Sequence, residues 1–167
     1  MMGKETMTSL PLQGKHALVC GASEGIGRAS AFALADLGAT VTVLARRLDK
    51  LDALREALPC PAQQTHAALS ADVSDAGGLR EKLAGLVAAT PVHILINNTA
   101  GPAGGPAHAA STEAYLSVFQ QHLVANQILV QAVLPGMRAA HWGRIVNIIS
   151  TSVKEPIANL GVSNTIR

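Results

Sequence analysis

Charged and aromatic residues are scarce in this sequence. Asp, Glu, Lys and Arg make up 14% of its 167 residues and Phe, Trp and Tyr 2%, whereas 49% are hydrophobic. A core must therefore be built from Ala, Val, Leu and Ile, which favours close packing of helices on a sheet. The length fits a single domain over 1–167. A net charge of +2 and no basic cluster larger than Arg46-Arg47 argue against a nucleic-acid partner or an anionic membrane.

Other absences narrow the function further. Cys20 and Cys60 have no CxxC spacing, so reduced thiols are expected rather than a disulfide. There is no signal-peptide-like segment at the N-terminus and no apolar run long enough for a membrane span. We therefore expect a cytoplasmic protein without a membrane partner, with residues 1–13 as a flexible N-terminus. The histidines lack metal-ligand spacing, which predicts no metal site. The sequence also has no GxSxG motif of the kind that carries a hydrolase nucleophile.

Short β-branched segments alternate with longer Ala- and Leu-rich segments along the chain. Strands are predicted at 16–20, 40–45, 65–72, 92–98 and 144–150. Helices are predicted at about 25–37, 48–58, after an N-cap at Ser74, and at about 112–140, where Pro135 ends or kinks the last one. Alternation with apolar strands predicts an α/β fold with a parallel sheet that is covered by helices on both faces.

The segment GASEGIGR (21–28) lies between the first predicted strand and the first helix. Its glycines Gly21, Gly25 and Gly27 allow a tight turn and a close approach of the backbone to a diphosphate. A phosphate loop of the nucleotide-hydrolase type is excluded, because no Lys-Ser/Thr follows. Such a turn can also need its glycines for packing alone. On the first strand of an alternating chain, dinucleotide binding is the favoured interpretation.

Several ordered motifs resemble the short-chain dehydrogenase/reductase family, including its 3-oxoacyl-ACP reductase-like proteins. The glycine-rich turn matches with Cys20 in place of Thr, and ADVSD (71–75), LINNTA (95–100), AVLPGM (132–137) and GRIVNIIS (143–150) follow in the family's order. The resemblance covers nearly the whole chain from Gly14, and it implies a Rossmann-type doubly wound parallel sheet with the strand order 3-2-1-4-5. It implies a nicotinamide dinucleotide bound by Gly21, Ser23, Glu24, Gly25, Ile26, Gly27, Asp72, Val73 and Asn97.

The end of the second strand bears on the choice of cofactor. NAD-dependent proteins usually carry an acidic residue there, which holds the ribose 2′-hydroxyl. This sequence has Ala45 followed by Arg46 and Arg47, and a guanidinium can bind a 2′-phosphate. NADP(H) is therefore favoured, with NAD(H) as the second option. The alternative is that both arginines are simply solvated.

The catalytic positions depart from the family pattern of Asn, Ser, Tyr and Lys. Ser150 matches the serine that orients the substrate carbonyl. Ser163 stands in the position of the tyrosine, Arg167 in that of the lysine, and His122 in that of the asparagine. An aliphatic alcohol is a poorer proton donor than a phenol, whereas His122 can titrate near neutrality. Alternatively, His122 is a hydrogen-bonded helix histidine, and Ser163 or Asn164 caps a helix.

These matches imply an oxidoreductase acting on a carbonyl/alcohol pair of a small molecule, with a non-standard catalytic set. The alternative is an inactive dinucleotide-binding or scaffolding protein. Family members continue beyond the lysine position with a further helix and two strands, so a C-terminally truncated domain is expected. The strand at 144–150 should then be an exposed edge, and a homo-oligomer or another partner would cover it.

Overall fold

A computed structural model describes residues 10–167. Of the predicted flexible N-terminus, residues 1–9 lie outside the described part. Residues 11–14 form a turn, and the Leu12 N–H donates a hydrogen bond to the Leu37 carbonyl at 2.9 Å. This contact ties the start of the described chain to Leu37, which follows the helix Gly25–Asp36.

Five parallel strands form a single sheet with the order β3-β2-β1-β4-β5. They are β1 (His16–Cys20), β2 (Thr40–Ala45), β3 (Ala67–Ser70), β4 (Ile94–Asn97) and β5 (Arg144–Asn147). This confirms the predicted fold and strand order, although β3, β4 and β5 are each shorter than predicted. Because the chain crosses from one edge to the centre between β3 and β4, the order reverses beside β1. In doubly wound sheets, ligands bind at the carboxyl ends of the strands at this reversal.

Six α-helices connect and cover the strands within residues 10–167. They are α1 (Gly25–Asp36), α2 (Leu48–Ala57), α3 (Ala76–Ala89), α4 (Thr112–Phe119), α5 (Ala125–Ala139) and α6 (Gly161–Ile166). A π-helical turn at Gln120–Val124 joins α4 to α5, so the long helix predicted at 112–140 is interrupted. Pro135 lies inside α5 and does not end it. None of the helices in this part of the chain is long and apolar enough to cross a membrane.

The predicted N-cap of α3 was wrong by one residue. The Asp75 side chain caps the helix by accepting hydrogen bonds from the Gly77 and Gly78 N–H groups at 3.1 and 3.0 Å. Ser74 instead donates its hydroxyl to Asp72 at 2.7 Å. A carboxylate can accept from both free N–H groups of the first turn, which makes Asp75 the better cap.

Two hydrophobic layers cover the sheet, one on each face. On one side, Val19 of β1 belongs to a core formed with α1 and α2. On the other, Leu18 packs in a core formed with α3 and α5. Because successive strand residues point to opposite faces, the apolar residues 17–20 of β1 contribute to both layers.

Strand β5 is the exposed edge that the sequence predicted. All four of its residues are exposed, including Ile145 at 37% and Val146 at 43%. Beyond it, Ile149 and Val153 are also exposed, at 58% and 48%. An open apolar edge of this kind is usually covered by more chain or by a partner.

Candidate functional site

The glycine-rich turn after β1 is packed too tightly for side chains at two positions. A Cβ at Gly27 would lie 2.2 Å from the Gly21 carbonyl oxygen, and one at Gly21 would lie 2.5 Å from the Asn98 carbonyl oxygen. The Asn98 amide also donates to the Gly21 carbonyl at 3.2 Å. The turn is therefore pressed against the end of β4, as expected where the strand order reverses.

Gly25 serves a different purpose in the same turn. Its φ of +55° lies in the left-handed region, and a Cβ there would meet nothing within 4 Å. Helix α1 begins at this residue, and its N-cap, Glu24, makes no capping hydrogen bond. The first N–H groups of α1 therefore have no side-chain acceptor, and the space beside Gly25 is open. Backbone donors around open space fit the diphosphate of a dinucleotide.

Glu24 holds two cations at the outer side of this turn. Its carboxylate accepts from the Arg47 guanidinium and the Lys50 ammonium, each at 2.6 Å. These hydrogen bonds, that of Lys50 first, lower the pKa of Glu24. The group is fully exposed, so the ion pairs contribute little to stability. Their effect is on orientation, because Arg47 is turned towards Glu24.

Arg46, Asp72 and Val73 lie at the carboxyl ends of β2 and β3. The Arg46 side chain is exposed, and its carbonyl accepts from the Ser70 hydroxyl at 3.0 Å. Hydrogen bonds from Ser74 lower the pKa of Asp72, and the nearby charge of Arg46 adds to this effect. Val73 is half-buried against the core. The exposed Arg46 guanidinium and Asp72 therefore lie at the carboxyl edge of the sheet, where the glycine-rich turn also follows its strand.

Asn97 was predicted to bind the cofactor, but it is the neighbouring Asn98 that contacts the turn. Asn97 is buried, and its amide donates to the Asn147 side chain of β5 at 2.8 Å. Asn98 is the residue that reaches Gly21. The pair Asn97-Asn98 was visible in the sequence, and the alternation of side chains along a strand decides which one faces inward. A cofactor role for Asn97 stays a prediction.

His122 lies in the π-helical turn between α4 and α5 and is buried. Its Nδ1 is 2.7 Å from the hydroxyl oxygen of Thr99, the second residue after β4. Burial lowers the pKa of His122, and the positive charge of Arg167 acts in the same direction. The imidazole can pass a proton to or from the Thr99 hydroxyl, and the lowered pKa makes its charged form scarcer at neutral pH.

Thr99 was not selected from the sequence as a site residue. The signal was present, because Thr99 stands where the family motif has alanine, just as His122 replaces asparagine. Both departures meet in one hydrogen bond. The structure therefore supports the reading of His122 as a hydrogen-bonded helix histidine and joins it to the end of β4.

Arg167 approaches the same place from α6. Its guanidinium Nη1 lies 3.3 Å from where a Cβ added to Gly101 would be. Its positive charge helps to lower the pKa of His122. Ser163 is buried on α6, one turn earlier. The capping alternative for Ser163 and Asn164 was wrong: the N-cap of α6 is Leu160, and the Asn164 side chain instead binds the Ile157 backbone at 2.9 and 3.2 Å.

Ser150 lies just after β5 and is half-buried. Its hydroxyl accepts a hydrogen bond from the Ser152 N–H at 3.2 Å and caps the short 3-10 helix Thr151–Val153. Within residues 10–167, no hydrogen bond joins Ser150 to His122, Ser163 or Arg167. The structure links His122 to Arg167 only through the positive charge of Arg167, which helps to lower the pKa of His122, whereas Ser150 caps its own 3-10 helix and Ser163 is buried on α6.

A cavity of about 550 Å³ opens beside His122. Its wall is mostly Pro, Ala and Gly of the loop 102–110, with Val118 and Val162, and its polar side chains are Ser117, Gln121 and His122. No Asp, Glu, Lys or Arg lines it in the described part of the chain. Separately, residues 10–167 contain no cluster of three or more His, Cys, Asp or Glu side chains that could hold a metal.

Comparison with known proteins agrees with this geometry. The sequence profile described as short chain dehydrogenase matches residues 15–162. The chain is 30% identical over 150 residues to the NADPH-dependent reductase BacG of Bacillus subtilis, covering 87% of this chain and 57% of that protein. It is 34% identical over 164 residues to the 3-oxoacyl-(acyl-carrier-protein) reductase FabG of Pseudomonas aeruginosa, covering 93% and 62%.

A solved structure of a metagenomic short-chain oxidoreductase in complex with NADP is also similar. It superposes with a TM-score of 0.84 at 33% identity, over 92% of this chain and 70% of that one. The chain belongs to the short-chain dehydrogenase family. It spans between half and two thirds of the length of BacG and FabG.

Proposed function

We propose that this protein is an NADP(H)-dependent oxidoreductase that interconverts a carbonyl compound and its alcohol with an altered catalytic set. The observation that carries the proposal is the glycine-rich turn, with open space at Gly25 and uncapped N–H groups at the start of α1. These residues fit a dinucleotide diphosphate. Relatives named as NADPH-dependent or bound to NADP support the choice of cofactor.

The adenosine end of the cofactor would be held at the strand ends next to the turn. Since Glu24 holds Arg47, Arg46 is the guanidinium better placed to bind the 2′-phosphate, bidentately or by stacking on adenine. Asp72 and Val73 would border the adenine. Ser23 and Ile26, in the turn itself, would contact the diphosphate side. The Glu24 charge would oppose the phosphate were it not neutralised by Arg47 and Lys50.

At the reacting end, a bound cofactor would supply a hydride to the carbonyl carbon, and the carbonyl oxygen would take up one proton donated or relayed by His122. Ser150 would donate a hydrogen bond to that oxygen, and Arg167 would hold the ribose hydroxyls with part of its donor fork. His122 and Thr99 form a connected pair 2.7 Å apart through which the proton can be replaced from solvent. Ser163 would extend this hydrogen-bond chain.

The experiment is a screen of the protein at its natural length, with NADPH and a broad panel of aldehydes and ketones. Oxidation of NADPH that depends on one carbonyl class supports the proposal. NADPH binding without turnover on any member of the panel would contradict it.

A second candidate is a dinucleotide-binding or scaffolding protein that has lost hydride chemistry. It is favoured by one observation, namely that Ser163 offers an aliphatic hydroxyl where the family pattern has a phenol, while burial lowers the pKa of His122 and makes its charged form scarcer. Analytical ultracentrifugation with and without NADPH separates the two candidates. Assembly that depends on NADPH, in a protein without turnover, supports the second.

Self-association is proposed in either case. Leu116, Phe119 and Leu123 of α4 and the π-helical turn are exposed at 69%, 46% and 46%. Together with the open edge at β5, they give apolar surface that a homo-oligomer would bury.

A further inference from the structure

A carboxylate lies close to the carboxyl end of β2, although the strand itself, TVTVLA, contains no acidic residue. The carboxylate belongs to Glu24, which precedes α1, and it contacts Arg47 and Lys50 at the start of α2. Because α2 begins at Leu48, three residues after Ala45 ends β2, these contacts bring the carboxylate to the strand end. An acidic group at this place usually holds the ribose 2′-hydroxyl of NAD. The structure therefore supplies from another segment the group that β2 lacks.

Both cations contact the same oxygen of this carboxylate. The Arg47 guanidinium and the Lys50 ammonium each lie 2.6 Å from Oε1 of Glu24. Because a carboxylate has two oxygens that accept hydrogen bonds, Oε2 can still accept one from a ligand. The three side chains carry two positive charges and one negative charge, so the group is net positive. With only one of the cations the group would be neutral, and with neither it would be negative.

The charge of this group affects the two cofactors in opposite ways. A phosphate monoester such as the 2′-phosphate of NADP(H) carries about 1.5 to 2 negative charges at pH 7. A net positive group attracts it, and an uncompensated carboxylate repels it. The 2′-hydroxyl of NAD(H) is neutral and can donate a hydrogen bond to a carboxylate. Removal of one cation should therefore weaken the binding of NADP(H) and strengthen that of NAD(H), because the carboxylate is then freer to accept.

Lys50 is the cation whose removal isolates this effect. Its hydrogen bond is the largest cause of the lowered pKa of Glu24, and its side chain, 40% exposed, lies within α2. Arg47 is the N-cap of α2 and directly follows Arg46, which the proposed function assigns to the 2′-phosphate. A change at Arg47 would therefore also disturb its neighbour, whereas a change at Lys50 alters the charge beside Glu24.

We propose that Lys50 is a specificity-determining residue of the cofactor site. Together with Arg47 it neutralises Glu24, and it thereby converts a carboxylate suited to the 2′-hydroxyl of NAD(H) into a group that admits the 2′-phosphate of NADP(H). The inference rests on the proposed function, since it requires a dinucleotide at the glycine-rich turn. Lys50 acts through Glu24, needs no contact with the cofactor and takes no part in hydride transfer.

The test measures the preference for NADPH over NADH, taken as the ratio of their dissociation constants, by calorimetric titration of the natural-length protein. Lys50→Gln should lower this preference about 3- to 10-fold, because an exposed charge contact changes an affinity up to about fivefold and the two affinities move in opposite directions. Lys50→Arg keeps the charge and should keep most of the preference. The double variant Glu24→Gln, Lys50→Gln removes one charge of each sign and should restore it.

Arg55 offers a matched control on the same helix. Its side chain is 36% exposed and pairs with Asp52 at 2.8 Å, so Arg55→Gln also removes a paired cation from α2. Arg55 lies five residues beyond Lys50, a rise of about 7.5 Å along the helix. Arg55→Gln should therefore leave the preference for NADPH unchanged.

An unchanged preference in Lys50→Gln would overturn the inference, and so would an equal change in Arg55→Gln. A loss of preference that persists in the double variant would overturn it as well, because Lys50 would then act without Glu24. If neither NADPH nor NADH binds the unchanged protein, the proposed function fails and the inference fails with it. If both bind and Lys50→Gln keeps the preference, the inference alone is contradicted.

Discussion

The open space at Gly25 makes a prediction that can be tested against a matched position. Gly25 and Gly14 both have left-handed φ angles, +55° and +77°, and a Cβ at either would meet nothing within 4 Å. Gly14 lies in the turn before β1, at the opposite end of the strand from the glycine-rich turn. Gly25→Ala and Gly14→Ala therefore impose the same backbone strain, but only one adds a methyl group to the proposed diphosphate site.

The two variants should lose similar stability. A left-handed alanine costs about 1–2 kcal/mol, and the loss of glycine's freedom in the unfolded chain returns about 0.4–1 kcal/mol. A net loss of about 1 kcal/mol is expected for each. Binding should differ, because a methyl group forced into an occupied space costs about 1–3 kcal/mol. NADPH affinity should fall about 5- to 150-fold in Gly25→Ala and remain unchanged in Gly14→Ala.

Urea unfolding gives the stabilities, and calorimetric titration of NADPH gives the affinities. A Gly25→Ala protein that binds NADPH as tightly as Gly14→Ala would show that the diphosphate does not approach this turn. Equal loss of affinity in both variants would mean that the loss follows stability and not the site.

Three further predictions follow from other parts of the chain. Arg46→Ala should weaken the binding of NADPH by about 1.5–3 kcal/mol more than that of NADH, as expected for a charge-assisted contact, whereas Arg47→Ala, which frees Glu24, should discriminate less between the two cofactors. Titration of both cofactors measures these differences, and equal losses of NADPH and NADH affinity in Arg46→Ala would contradict the prediction. Burial lowers the pKa of His16 from its usual 6.5, so the unfolded chain binds the proton more readily, and the stability present above about pH 6.5 is lost as the pH falls below that value. Urea unfolding at pH 7.5 and pH 5.5 should show this loss of stability, and the loss should be smaller in His16→Gln. An equal loss in that variant would rule out His16 as the cause. The double change Ser163→Tyr, Arg167→Lys places a phenol beside an ammonium group, which lowers the phenol pKa. Carbonyl reduction should appear or rise in a variant that folds and binds NADPH. No gain with any carbonyl would show that the pocket as a whole no longer supports hydride transfer.

The sheet could be predicted from the sequence because its signals are local. Apolar strands and the spacing of Ala and Leu in the helices were enough to predict a parallel α/β sheet, and the family resemblance supplied the order 3-2-1-4-5, which the structure confirms. Boundaries were less certain, since strand ends depend on neighbours in the sheet. The interruption of the helix at Gln120–Val124 had no visible breaker, as Pro135 lies further on inside α5.

The site could be predicted only in part, because contacts between distant segments decide it. The hydrogen bond between Thr99 and His122 joins residues 23 positions apart. The Glu24 carboxylate at the start of α1 pairs with Arg47 and Lys50 at the start of α2. No local sequence pattern predicts this pairing. The choice between Asn97, the last residue of β4, and Asn98, which follows it, depended on the alternation of side chains along the strand, which a one-residue shift reverses.

Transfer of hydrogen from the cofactor to a substrate tests the central claim most directly. The natural-length protein would be incubated with NADPH deuterated at the transferring position and with the carbonyl panel, and the alcohols analysed by mass spectrometry. An altered but working catalytic set predicts an alcohol that carries one deuterium per molecule, formed as NADPH is consumed. Bound NADPH with no labelled alcohol from any carbonyl would contradict the account and leave the dinucleotide-binding protein as the better description.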